Sequence, residues 1–150
     1  MTIKKKSLKG REGIKVICME LNAKALIKMA EDFYDRARRE FSSAVAKVDV
    51  LAIRDSAEKA WNAVVEAVNA LVLKHMEMIP SSHFERRKML REIEGKDKRI
   101  EGLGILDRYM ARYKVLHGET FYEGIIDIEQ LKTEMEKVQK LIEDIKSLID

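Results

Sequence analysis

Residues 49–78, DVLAIRDSAEKAWNAVVEAVNALVLKHMEM, decide the fold, because they are apolar on two helical rows instead of one. Ile53, Ala57, Ala60, Val64, Val68, Leu71 and His75 step by four and three along the first row, and Trp61, Val65, Val72 and Met76 form the second. A helix with two apolar faces packs against neighbours on both sides, which makes this the central helix of a bundle. Its alanines permit close approach of a partner helix, and Trp61 is the expected anchor of the core. His75, at the end of the row, reads as a hydrogen-bonded boundary residue before it reads as a ligand.

Working outward, residues from about Asn22 show a single stripe, Leu26, Ala30, Phe33, Ala37, Phe41, Ala44 and Val48, which predicts a first long helix with a solvated charged back. After Pro80, Ser82 and Glu85 have the spacing of a capping box and open a third helix. The Glu85–Lys88 run, ERRK, reads as a solvated face that can also contact phosphates. A polar link around Gly95 leads into LGILDRYMARYKVLHG, residues 103–118, where Gly102 and Gly104 loosen the first turn and Gly118 is expected as a left-handed stop just after His117. A loop carrying Phe121 and Tyr122 should fold back near that segment. A last helix opening at Asp127 or Ile128 carries Leu131, Met135, Val138, Ile142, Ile145 and Ile149 at heptad spacing, a seam for the bundle or for a second chain. The expectation is an all-α, four- to five-helix up-down bundle, with residues 1–18 as a basic, partly disordered tail and residues 19–150 as one domain.

Charge is unevenly spread. Residues 1–17 hold six basic and one acidic side chain, residues 83–114 ten against six, and residues 119–150 four against nine. The basic third suits a phosphate-bearing partner, although it is far weaker than the stripe of a dedicated nucleic-acid binder. One cysteine, Cys18, excludes an internal disulfide and reads as a small core residue. With no apolar stretch behind the charged N-terminus, this points to the reducing cytoplasm. The most apolar run, from Ala63, is interrupted by Glu66 and Asn69 and is too short to span a membrane.

The residues also exclude chemistries. Val72, Pro80 and Lys114 stand three positions before the three histidines, so a di-iron Glu-x-x-His pattern fails. HExxH, a phosphate-cradling glycine loop and a nucleophile beside a histidine are missing as well, and neither metal nor cofactor is expected. Arg112 and His117 remain. At helical spacing, Leu103, Leu106, Met110, Tyr113 and His117 form one row and Ile105, Tyr109, Arg112 and Leu116 the next, so both polar residues border an apolar face. An imidazole among the carbonyls of a last helical turn favours its protonated form, and a guanidinium beside it suits a phosphate. Such a pair can cleave RNA without metal: the substrate's 2′-hydroxyl is the nucleophile, His117 moves the proton and Arg112 holds the developing charge.

The helical pair with FYDRA (33–37) and AEKAWNAVVEAVNALV (57–72), the segment LHGETFYEG (116–124) and the R-x-x-x-x-H of Arg112 to His117 resemble the HEPN superfamily. Within it, residues 22–150 are similar to archaeal PaREP-type proteins. The resemblance implies an all-helical homodimer whose two motifs face each other across the interface as a composite RNA-cleaving site. Arg108, Lys114 and Tyr122 would then contact RNA, and a nucleotidyltransferase-type protein is a second implied partner. Tyr113 follows the arginine where active ribonucleases of the superfamily usually carry a polar residue, which keeps a non-catalytic helical interaction module, or a nucleotide- or RNA-binding one, open as the alternative.

Overall fold

The computed structural model describes residues 3–4 and 20–150, and those residues are almost entirely helical. Ile3–Lys4 (β1) pairs antiparallel with Glu20–Leu21 (β2). The expectations for the rest of the tail, including Cys18, lie outside the described residues.

Six α-helices and one π-helix follow: α1 Ala23–Lys47, α2 Val50–Met76, α3 His83–Lys96, α4 Lys98–Gly102, α5 Ile105–Arg112, the π-helix Tyr113–Tyr122, and α6 Ile128–Ile149. The all-α expectation holds, with more segments than the four or five anticipated. The extra breaks have local causes. Asp97 leaves helical geometry and accepts hydrogen bonds from the Arg99 and Ile100 N–H groups, so one carboxylate ends α3 and starts α4. Gly104, at φ 62°, turns the chain again before α5. Gly104 therefore breaks the motif helix instead of loosening its first turn, with Gly102 the last residue of α4, whereas Gly95 lies inside α3 and not in a link.

Most boundaries follow the capping rules. The side chains of Asn22, Asp49, Ser82 and Asp127 each accept a backbone N–H at the start of α1, α2, α3 and α6. At α3 the capping box is shifted by one residue. Glu85 N–H donates to Ser82 Oγ as expected, but the Glu85 carboxylate accepts from the N–H and hydroxyl of Ser81. Between α1 and α2 only Val48 and Asp49 intervene. Val48 takes the left-handed conformation at φ 52° and is 79% exposed, so the stripe of α1 ends one position before it.

The core is organised around α2, which meets α1, α3, α5, the π-helix and α6. Ile53, Ala57, Ala60, Val64, Val68 and Leu71 are buried on one row and Trp61 and Val72 on the other, and every residue from Ala67 to Leu73 is buried. Such all-round burial is what two apolar rows require. The heptad positions of α6, from Leu131 to Ile149, are all buried within this one chain, which accounts for that seam without a coiled coil.

Candidate functional site: a polar and aromatic strip between α2, α3 and α5

The strip starts from a run of rings at a spacing of four: Tyr109, Tyr113, His117 and Phe121. The segment does not stop at Gly118. It continues as a π-helix to Tyr122, and the left-handed glycine is Gly124, at φ 74°. The carbonyls at its end are held by Arg54 of α2, whose guanidinium donates to Phe121 O at 2.6 and 3.0 Å and to Tyr122 O at 3.1 Å. A side chain at Gly124 would meet that guanidinium at 3.3 Å. This corrects the expected placement of His117 among the unpaired carbonyls of a last turn, because a widened helical turn carries the chain past it and a distant arginine takes the terminal carbonyls. The expected loop around Phe121 and Tyr122 is the last turn of this helix.

Along it the rings stack. Tyr113 and His117 lie 5.4 Å apart between centroids, His117 and Phe121 5.9 Å, and His83 from the first turn of α3 lies against Tyr113 at 4.0 Å, each pair at an interplanar angle of 22°. Trp61 backs the stack, 5.1 to 6.3 Å from Tyr109, Tyr113, His83 and His117. Its indole is 5% exposed, so the expected core anchor is also the rear wall of the strip.

The two motif residues reach different neighbours. Arg112 is buried and points to α6, where its Nε and Nη2 donate to the two carboxylate oxygens of Glu134 at 2.5 and 3.1 Å, with side-chain exposures of 7% and 4%. This is a bidentate pair that consumes the guanidinium's charge inside the chain. His117 points to α2. Its Nδ1 donates to Glu58 Oε2 at 2.8 Å, and the two side chains are 33% and 23% exposed. A carboxylate can only accept there, so it fixes the proton on Nδ1 and leaves Nε2 as the nitrogen for another partner. Of the residues expected to touch RNA, Lys114 is exposed and Tyr122 is 78% exposed, whereas Arg108 is turned to α6 and donates to Asp144 at 2.9 Å.

Beneath the rings runs a hydrogen-bonded chain. Arg86 Nε donates to Asn69 Oδ1 at 2.9 Å and its Nη1 to the Tyr109 hydroxyl at 3.3 Å, and that hydroxyl donates to His83 Nδ1 at 2.5 Å. Burial, with Arg87, Arg86 and His117 adding to it, holds His83 below the ordinary histidine value and therefore neutral. Burial raises Tyr109 above the usual phenol range, with Arg86 opposing it. Burial also lifts Glu66 above the usual carboxylate range, and Arg86 and Asn69 oppose that shift. Glu66 and Asn69, which interrupted the apolar run in the sequence, are thus the polar side of α2 facing Arg86.

Sequence reasoning missed Glu58, His83, Arg86, Asn69, Arg54 and Glu134 as members of this region. The four-residue ring spacing was visible; the partners, 17 to 67 positions away in the chain, were not. His75, as expected, is a hydrogen-bonded boundary residue, its Nδ1 3.1 Å from Leu71 O. Among the described residues no group of His, Cys, Asp and Glu is placed to hold a metal ion, and no helix is long and apolar enough to cross a membrane.

None of the curated proteins matches this chain. Residues 25–142, from the first turn of α1 through most of α6, match the archaeal PaREP1/PaREP8 family, and the whole strip lies within that span. On this match the chain belongs to the archaeal PaREP1/PaREP8 family.

Proposed function

We propose that this chain is a HEPN-like, RNA-associated cytoplasmic protein that pairs with a second copy and cleaves single-stranded RNA without a metal ion, His117 carrying the proton. The observation that supports this reading best is the His117–Glu58 pair. A partly exposed imidazole whose Nδ1 is fixed by a carboxylate presents Nε2 as a proton acceptor of defined orientation. In the reaction the 2′-oxygen attacks the adjacent phosphorus as His117 Nε2 takes its proton. The bond from phosphorus to the 5′-oxygen breaks, and that oxygen receives a proton from an imidazolium, supplied in a shared cleft by the partner subunit's His117. The products are a 2′,3′-cyclic phosphate and a 5′-hydroxyl. Lys114 and Tyr122 are disposed to meet the RNA, and Arg108 joins them only by leaving Asp144.

Arg112 has a dual part in this reading. It holds the start of the π-helix to α6 through Glu134, and it stabilises the phosphorane only by exchanging that carboxylate for the phosphate. The same buried pair favours a second reading, a non-catalytic module that binds RNA, a nucleotide or a partner protein such as a nucleotidyltransferase.

Incubation with single-stranded RNA in EDTA separates the two. The catalytic reading predicts cyclic phosphate ends, lost in His117→Ala in a protein that keeps its helix content at the assay temperature and lost in Arg112→Ala. Cleavage that survives both substitutions removes the site, and no cleavage by the wild-type protein leaves the binding reading.

A further inference from the structure

The π-helix lies against the first turn of α3, and the outer face of α3 sets cations around an exposed aromatic ring. Phe84, Arg87, Lys88 and Arg91 are spaced i, i+3, i+4 and i+7, which puts all four on one stripe. Phe84 is 65% exposed, Lys88 and Arg91 are exposed, and the Arg87 guanidinium sits 5.9 Å over the Phe84 ring.

The acidic residues of α3 are turned off this stripe. Glu85 is held by Ser81, Glu94 accepts the Leu106 N–H at 2.8 Å, and Glu92 lines a cleft with His75 and Lys96. Among the described residues no carboxylate pairs with Arg87, Lys88 or Arg91, whereas Arg108 and Arg112 of α5 are both committed to acidic partners. Arg87 also has a buried Nε with no hydrogen-bond partner. It stands one turn after His83, whose ring stacks on Tyr113, which in turn stacks on His117. Three cations without a carboxylate partner therefore share one stripe of α3, beside an exposed aromatic ring and within two stacked rings of the imidazole, and Lys114 of the π-helix adds a fourth.

We infer that this stripe of α3 is a binding face for single-stranded RNA, with Phe84 stacking on a base and Arg87, Lys88 and Arg91 following the phosphates toward His117. Exposed aromatics interleaved with cations are what sequence-tolerant single-strand binding uses. The inference deepens the RNA reading above and rests on it for the class of ligand, but it concerns binding, which is measurable where cleavage is blocked.

The test is fluorescence anisotropy with a labelled mixed-sequence single-stranded RNA, using the full chain carrying His117→Ala so that the RNA stays intact, over a range of salt concentrations. The three phosphate contacts of this stripe contribute about −2 to the slope of log K against log salt, at roughly 0.7 per contact. Arg87→Ala/Lys88→Ala/Arg91→Ala removes that contribution from the slope and weakens low-salt binding at least tenfold. Phe84→Ala weakens binding about fivefold or more and leaves the slope unchanged. Phe84, Lys88 and Arg91 are exposed and Arg87 is half-buried, so a melting scan of each variant is run beside the binding assay and only variants that melt as the wild type does are compared. Equal affinity and slope in the triple variant overturn the inference even if the wild-type protein cleaves RNA. Competition by polyglutamate as strong as by unlabelled RNA overturns the assignment to RNA. Wild-type binding that depends on this stripe, in a protein that cleaves nothing, sustains the inference and removes only the catalytic reading.

Discussion

α1 and the segment from α5 through the π-helix both pack on the central helix α2, yet the α1–α2 hairpin and that segment are specified in different ways. The hairpin joins two periodic stripes rich in alanine, Ala30, Ala37 and Ala44 on one helix and Ala57, Ala60 and Ala63 on the other, linked by a two-residue turn with a capping aspartate. Every one of its rules acts within a few residues. The α5 segment is held by pairs that reach across the chain: Arg112 to Glu134, His117 to Glu58, Tyr109 to His83 and Arg54 to the carbonyls of Phe121 and Tyr122. Apolar packing tolerates small errors gradually, whereas a buried polar pair fails when one member is removed. The first region is built for persistence, and the second keeps titratable groups in fixed orientations.

That contrast breaks most visibly at the Arg112–Glu134 pair. Glu134→Ala leaves a guanidinium 7% exposed without its carboxylate and should cost about 3–5 kcal/mol, seen as a fall in melting temperature of about 10 °C or more. The double change Arg112→Met/Glu134→Leu should restore or exceed wild-type stability, because neither charge is then left unpaired. A comparable fall in the double variant would show that the packing around the pair, and not the charge, holds α5 to α6.

In the hairpin the corresponding change is overpacking. Ala63 is fully buried, and Ala63→Leu should cost about 1–3 kcal/mol in chemical denaturation, less than the unpaired charge.

His83 gives the strip a pH dependence of its own. Its folded-state value is depressed, so between that value and the ordinary one the unfolded chain binds more protons, and stability falls as pH drops through this window. Melting scans at about pH 7.5 and 5.5 should show the loss, and His83→Gln should make the two scans more alike. The smallest effect is at the turn: Val48, left-handed and exposed, should gain up to about 1 kcal/mol as Val48→Gly, detectable as a slightly higher melting temperature.

The sequence made the hairpin legible almost residue by residue, since Asn22 and Asp49 announce their helices and the apolar rows of α2 name most of its core. It also made legible that Arg112 and His117 border an apolar face. It did not show where they point, because a row on a helical wheel fixes a direction only while the helix stays α, and this one becomes a π-helix at Tyr113. Gly118 misled for a related reason: glycine after a histidine is a common stop, but here the stop is Gly124, which lies against Arg54. Glu58, on a helix read only for its apolar rows, carried no local sign that a histidine 59 residues later would need it.

The central claim is that Glu58 holds His117 ready to move a proton, and the single-turnover rate of RNA cleavage in EDTA by Glu58→Gln tests it most directly. The account predicts a rate at least about tenfold below wild type with an unchanged melting temperature, since the amide no longer holds Nδ1 protonated as a carboxylate does. A Glu58→Gln protein that cleaves at the wild-type rate would contradict it.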